Sequence, residues 1–277
     1  TRITEGNIDY PTYVAEHSAA ILAHAEEENP EVAIVIPAFN ESENLPRALR
    51  GVNDAIELVT NRGVSVVVVD NNSTDYTAEV AADFGAKVIH EERKGIGFAR
   101  QTGLFTLPES VRYVLTTDAD SFVANTWVKS HCNTYDERPD VVGANGTLVW
   151  LPTNGGPIEY AQAALYTGVA NLVHIIENST GHPVGAACNA SYRKSDAIEI
   201  GGYNEELRRG GDKEFFVRLA NGMNIAFLPN AVVYTSMRRQ LGEGFIKHSL
   251  KKTFENAEYL FNRSLPDGRS YSDYRDI

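Results

Sequence analysis

Cysteine, methionine and tryptophan are scarce in this chain of 277 residues, at two each. Cys132 and Cys188 make no disulfide framework, so a reducing cytoplasm is the simplest compartment. No apolar run is long enough to span a bilayer. No secretory signal is visible, so Asn-x-Ser/Thr triplets such as Asn145-Gly146-Thr147 carry no weight. Positive charge is also short: 25 Lys and Arg stand against 37 Asp and Glu, a net charge of −12. That excludes nucleic acid as a partner, because a phosphate backbone needs a positive field. It leaves room for a nucleotide, which a metal ion and a few backbone amides can hold. Finally, no G-x-G-x-x-G follows the first strand pattern. The first turn runs from Pro37 to Glu41 without a glycine, which disfavours a dinucleotide-binding dehydrogenase.

What is present suits one large α/β domain, or a domain with an appended subdomain. The hydrophobic share is 43%, enough for a sizeable core. Residues 13–28 read as an amphipathic helix. Val32 to Ile36 is an apolar run stopped by Pro37, and Asn40 or Ser42 can cap a helix over 43–59. Val64 to Val69 is a second run, ending at Asp70. Ser73 or Thr74 then caps a helix closed by Gly85. Lys87 to His90 is a short strand, and a loop with Lys94, Gly95 and Gly97 opens a helix to about Leu107. Val111 to Thr116 leads into Asp118 and Asp120. Alternation of this kind predicts a Rossmann-like half with a mostly parallel sheet. Further on, Val141 to Trp150 reads as a strand weakened by Gly143 and Gly146. A long helix follows over 158–178, then a small-residue stretch, Val184 to Tyr192. Asp212 starts another helix. Strands over 225–228 and 231–234 are separated by Pro229.

In open α/β sheets the ligand sits beyond the carboxyl ends of the strands. Three such ends carry polar clusters: Pro37-Ala38-Phe39-Asn40-Glu41, Asp70-Asn71-Asn72-Ser73-Thr74-Asp75, and Asp118-Ala119-Asp120. The last places two carboxylates one residue apart, within reach of one Mg²⁺ or Mn²⁺, which favour oxygen ligands completed by phosphates. Asn72, Ser73 and Thr74 read as helix caps. Asp70 stands ahead of the cap and reads as a ligand-facing carboxylate. His174 lies on the apolar face of the long helix and reads as a core residue, and Cys188 as a buried thiol without a catalytic partner.

These segments resemble the family 2 glycosyltransferases, which have the GT-A fold. Val35 to Glu41 is similar to the family's first strand and nucleotide loop. Val69 to Asp75 is similar to its second, where the first Asp contacts the base. Lys94-Gly95-Ile96-Gly97-Phe98-Ala99-Arg100 resembles its glycine-rich helix start, Asp118-Ala119-Asp120 its metal motif, and Gly185 to Arg193 with Gly201-Gly202-Tyr203 its acceptor-side segment. The likeness covers roughly 32–235, with the motifs in the family's order.

The resemblance implies a domain over 31–240, an N-terminal helical extension over 1–30, and a C-terminal amphipathic helix and tail over 241–277. It implies inverting transfer of a sugar from a UDP- or GDP-linked donor to a glycan or lipid-linked acceptor, with Mg²⁺ or Mn²⁺. Pro37, Ala38, Phe39, Asn40, Glu41, Asp70, Lys94, Gly95, Arg100, Asp118 and Ala119 become nucleotide-binding candidates. Asp120 becomes the direct metal ligand, with Asp118 on the ribose or a metal-bound water. Arg93 or Lys94 is a candidate cation near the nucleotide. The base stays open between Asp212 and Glu214, because Gly211 replaces the family's Glu, and Asp212 also reads as a helix cap. The Gln-x-x-Arg-Trp motif of processive members is missing, so a single transfer is expected. A peripheral membrane contact through the basic amphipathic helix over 245–262 is the lesser alternative to simple packing. Two other classes remain open: a metal-dependent nucleotidyltransferase and a non-catalytic nucleotide-sugar binder.

Overall fold

The computed structural model describes residues 29–152, 155–179, 186–207 and 210–238. The helices expected over 13–28 and 245–262 lie outside them. The chain folds as α/β on one eight-stranded sheet. Strands β1 (Val32–Ala38), β2 (Val64–Asp70), β3 (Lys87–His90) and β4 (Tyr113–Thr117) form its parallel half. Beyond β4 come β7 (Asn189–Arg193), β6 (Val141–Leu151), β8 (Asn224–Ser236) and β5 (Phe122–Val123), giving the order β3-β2-β1-β4-β7-β6-β8-β5. β7 runs antiparallel to both β4 and β6, while β6 and β8 are parallel.

Every residue of β1 is buried, because helices cover both faces of the sheet. Val32, Ile34 and Ile36 join α1 (Leu45–Ile56), α2 (Thr77–Asp83) and α4 (Trp127–Glu137). Ala33 and Val35 join α3 (Ile96–Phe105), α6 (Lys194–Glu199) and α7 (Gly211–Ala220). Each fully buried Val or Ile side chain contributes about 1.5–3 kcal/mol, so the apolar runs themselves set the strand positions.

Several boundaries differ from the sequence reading. β1 continues through Pro37 to Ala38. Its ladder to β4 ends at Val35, so Pro37 lies where only β2 is paired. The two strands expected around Pro229 are one strand, β8. Its register against β6 jumps from Leu228 to Val232 across a bulge that absorbs the proline. Gly146 does not weaken β6. A Cβ there would lie 2.1 Å from the Ala231 carbonyl oxygen and 2.6 Å from the Asn189 amide, so glycine makes the space this junction needs. Helices α4 and α6 were not anticipated.

The long helix α5 (Pro157–Ser179) has two faces with different tasks. Thr167 and Asn171 bond the backbone of β6 at Trp150 and Leu148, past the point where β7 stops pairing. On the outside, Ile158, Leu165, Val169, Leu172 and Ile176 form an exposed apolar row. Among the described residues no helix is long and apolar enough to cross a membrane.

Asn189 ties the halves together. It pairs with Thr117 at the end of β4. Its Oδ1 accepts from Trp127 Nε1 (2.8 Å) and faces His131 Nε2 (3.3 Å). Its Nδ2 donates to the carbonyls of Thr147 and Ala231. His131 also meets the Ser191 hydroxyl (2.7 Å), which in turn meets Tyr135.

Burial pulls His131 down to about 4 despite the Asn189 contact. His174 is likewise pulled to about 4 by burial, against the nearby charge of Asp212. Both folded values lie below the unfolded value, so the unfolded chain takes up protons first. Stability is therefore full above about pH 6.5 and falls as pH drops towards 4, by about 3 kcal/mol per histidine. Urea unfolding of wild type and His131→Gln between pH 7 and 4 should show about half the acid slope in the variant. Equal slopes would mean that another group titrates.

Candidate active site

The carboxyl ends of β1, β2 and β4 line one edge of the sheet. The loops after β1 and β2 are stapled there by backbone-to-side-chain bonds. The Asn40 amide donates to Ser73 Oγ (3.0 Å), and the Thr74 amide to Asn40 Oδ1 (2.8 Å). The amides of Glu41 and Ser42 donate to Thr77 Oγ1 and Asp75 Oδ2. Asn40, Ser42, Ser73 and Thr74 therefore do not cap the helices. The N-caps of α1 and α2 are Asn44 and Tyr76, neither with a side-chain cap bond. Burial alone would raise the Asp75 carboxyl, but bonds from Thr77 and Ser42 outweigh it and hold it below its ordinary value.

The third loop is anchored by the second. Asn71 donates to the carbonyls of Glu91 and Arg93 and accepts from the Gly95 amide (2.8 Å). Gly95 has φ 140°, which favours glycine at this turn into α3. Bidentate bonding from Arg93, helped by Thr102, holds the Glu91 carboxyl down at about 2. Arg93 also pairs with Glu205, so it is committed to the loop rather than held out as the expected nucleotide cation. Lys94 beside it is exposed.

Within this frame Asp70 is 6% exposed, pairs with Ala38 in the sheet, accepts from the Ser73 amide and faces His90 Nδ1 (3.2 Å). Asp118 and Asp120 leave the end of β4, with Ala119 buried between them. Asp118 accepts from Arg100 Nη2 (3.3 Å). Arg100 is buried, and its Nε has no hydrogen-bond partner. Burial would lower it, but the charges of Asp118 and Asp212 prevail and hold it above its ordinary value. Arg100 thus bonds Asp118 and also feels the charge of Asp212. Asp120 Oδ2 accepts from Arg238 Nη2 (3.0 Å), and the same nitrogen donates to Glu41 Oε1 (2.7 Å).

Asp120 presents a carboxylate oxygen of the kind a hard divalent cation favours, and in this structure the Arg238 guanidinium compensates its charge. Among the described residues no three Asp, Glu, His or Cys side chains form a ligand cluster. A cation at Asp120 would draw its further ligands from a bound diphosphate. No spacing pattern in the sequence links Arg238 to Glu41, 197 residues away, so the motifs alone do not single it out.

Gln101 of α3 clamps the Gly201-Gly202-Tyr203 turn. It donates to the Gly201 carbonyl and accepts from the Tyr203 amide. Gly202 has φ 75°, and a Cβ there would lie 2.2 Å from the Gln101 Oε1. Tyr203 stacks on Phe215 of α7 (4.1 Å, 11°), which fixes the helix carrying Asp212 and Glu214. The N-cap of α7 is Gly210, so Asp212 lies in the first turn and is not the cap. Its Oδ2 accepts from the Ala187 amide (3.4 Å). Glu214 is gripped by Arg218, which also donates to the carbonyls of Ile200 and Gly202. His174 is buried near Asp212 and Lys213, as a core residue should be, and burial pushes the Cys188 thiol well above its ordinary value.

A parallel set of four strands extended by the antiparallel β7, with acids at the β4 exit, defines a GT-A fold. Residues 33–201 match the model of glycosyl transferase family 2, and the chain belongs to that family. Glycosyltransferase AglE of Haloferax volcanii is 26% identical over 211 residues, covering 73% of this chain and 66% of AglE. The glucosyl-dolichyl phosphate glucuronosyltransferase of the same organism is 28% identical over 53% of this chain and 48% of its own. This chain thus spans just under two thirds of the first relative and about half of the second. Among solved structures, the Pyrobaculum calidifontis mannosyltransferase PcManGT, in complex with GDP-Man and Mn²⁺, superposes with a TM-score of 0.59 at 17% identity, over 88% of this chain and 75% of its own. S. aureus TarS 1–349, in complex with UDP, gives 0.57 at 18% identity, over 74% and 60%.

Asn40 carries the loop staple at a strained φ of 52°. Asn40→Ala should lower the unfolding free energy by about 1–2 kcal/mol, through the lost bonds and the left-handed backbone. Asn40→Gly should recover the backbone share only. Denaturant melts of the three proteins check this; an unchanged Asn40→Ala midpoint would remove the staple's role.

Proposed function

We propose that the protein transfers a sugar from a nucleoside diphosphate sugar to an acceptor hydroxyl, with inversion and a single transfer per encounter. The observation that carries this reading is the exit of Asp118 and Asp120 from β4, with Asp118 held by buried Arg100, beside the two stapled strand-end loops. Asp70 is the group for the base: its carboxylate accepts from the imide N–H of uracil or guanine, which adenine lacks. Residues 37–41, Lys94, Gly95 and Arg100 line the donor, with Asp118 beside the ribose. Asp120, with Asp118 nearby, holds Mg²⁺ or Mn²⁺ together with the donor phosphates. A divalent ion there supplies positive charge to the phosphate oxygens as the sugar leaves.

Asp212 is the base. Its carboxylate takes the acceptor hydroxyl proton as the new O–C1 bond forms and the bond from C1 to the diphosphate oxygen breaks. Glu214 is favoured less, because a guanidinium holds both of its oxygens, whereas those of Asp212 accept from the Lys213 and Ala187 amides. Buried Arg100 keeps the two acidic centres from repelling each other across a low-dielectric gap. The acceptor is a glycan or a lipid-linked carrier. The lipid form is supported by the dolichyl phosphate relative and by the exposed apolar row on α5, which suits a peripheral membrane contact. The Mn²⁺ and GDP-Man bound to PcManGT support the metal and the donor class.

Asp120→Asn should weaken Mn²⁺-supported binding of UDP or GDP about tenfold or more, since one ligand charge is removed. Calorimetry with and without Mn²⁺ measures this, and equal affinity in both proteins would end the metal assignment.

Asp212→Asn should keep donor affinity and melting temperature, yet lose about 10²–10⁴-fold in transfer rate. Glu214→Gln should mainly lower the melting temperature, by loosening Arg218 from the turn at residues 200–202. If Glu214→Gln alone abolishes turnover in a folded protein, the base is Glu214.

A further inference from the structure

Glu41 leaves β1 with 7% exposure, and a carboxylate so buried needs a compensating charge. Asn44 donates to one of its oxygens (2.7 Å) and Arg238 to the other. Arg238 Nη2 carries two hydrogens, and the two contacts use both: one on Glu41, one on Asp120. The backbone beneath is fixed. Met237 is fully buried and its amide donates to the Leu151 carbonyl (3.1 Å), while the Arg238 amide donates to Ser236 Oγ. A rotation of the Arg238 side chain can exchange these two contacts without moving this backbone.

We propose that Arg238 is a built-in counter-cation of the donor site: it holds Asp120 while no donor is bound, and passes to a phosphate oxygen when the nucleoside diphosphate arrives with its divalent ion. This rests on the donor-site reading above. A divalent ion and a guanidinium cannot both sit on one carboxylate oxygen without strong repulsion, so an ion arriving alone must break the Asp120 contact uncompensated. Arriving with a diphosphate, it brings the acceptor that takes the released hydrogen bond. Glu41 keeps its own bond throughout and holds Arg238 at the site. Metal and nucleotide binding are therefore coupled, each strengthening the other by the same factor.

Manganese binding to the full chain, followed by electron paramagnetic resonance with and without UDP or GDP, tests this. Arg238→Ala should bind Mn²⁺ alone about tenfold more tightly than wild type, since a competing charge is gone. It should also lose most of the gain that UDP or GDP confers on Mn²⁺ binding. Arg238→Lys keeps a competing charge and should bind Mn²⁺ alone as weakly as wild type. Arg238→Gln replaces the alanine variant if that one does not fold. A purely structural role for Arg238 would not raise metal affinity in any variant. If Mn²⁺ and nucleotide bind wild type together and Asp120→Asn abolishes this, but removing the Arg238 charge leaves metal-alone affinity unchanged, the inference about Arg238 is overturned and the donor site stands. If wild type binds no Mn²⁺–nucleotide pair, or Asp120→Asn binds it equally, the donor-site reading fails and the inference with it.

Discussion

The placement of the candidate site's edge depends on one buried side chain, Asn189. Its amide satisfies groups on three separate elements: the Trp127 indole on α4 and the backbone carbonyls of Thr147 on β6 and Ala231 on β8. Because Asn189 also pairs with Thr117, this network sets where β4 ends and hence where Asp118 leaves the sheet. A buried amide left unsatisfied costs roughly 1–3 kcal/mol per group, so the network tolerates little displacement. Gly146 completes it by leaving room for both the amide and the Ala231 carbonyl. The parallel half of the sheet thus depends on β6, β7 and β8 for the position of its own acidic motif.

Electrostatics at the crevice follow from the same economy of burial. The chain carries a net charge of −12, yet most of the enclosed carboxylates near the strand ends have a guanidinium against them. Glu91 has Arg93, Glu214 has Arg218, Asp118 has Arg100, and Glu41 shares Arg238 with Asp120. These pairs differ in what they leave available. Glu91 and Glu214 are bonded through both oxygens and serve to fix loops. Arg100 instead has an unbonded Nε inside the protein, and the charges of Asp118 and Asp212 both act on it. That difference separates scaffold from candidate chemistry better than acidity alone.

How much of this was legible in the sequence varied with the range of the interaction. The strand runs before Pro37, Asp70 and Asp118 are continuous because the sheet is covered on both faces, and they were found within a residue or two. The acidic strand ends were found for the same reason, since they mark where the apolar run stops. Helix α4 was missed because its buried face is made of Trp127, Val128, His131, Cys132 and Tyr135, whose polar atoms mask the period. The expected caps failed for a different reason. Asn40, Ser42, Ser73 and Thr74 have the chemistry of N-caps, but their partners lie more than thirty residues away in the other loop. Local propensity does not distinguish a bond to the next turn from a bond across a crevice.

The same limit governs the base. The motif placed Asp212 and Glu214 two residues apart on one helix, and spacing alone offers no choice between them. Packing does. The helix is oriented by Phe215 stacked under Tyr203, and Tyr203 is held by a turn whose Gly202 leaves no room for a Cβ beside Gln101. With the helix so fixed, Glu214 meets Arg218 one turn on, while Asp212 meets the Ala187 amide and the field of Arg100. A carboxylate spent on a bidentate ion pair must lose that pair before it accepts a proton, whereas one held by single amide contacts need not. The residue type therefore nominates two bases, and the aromatic stack beneath them favours one.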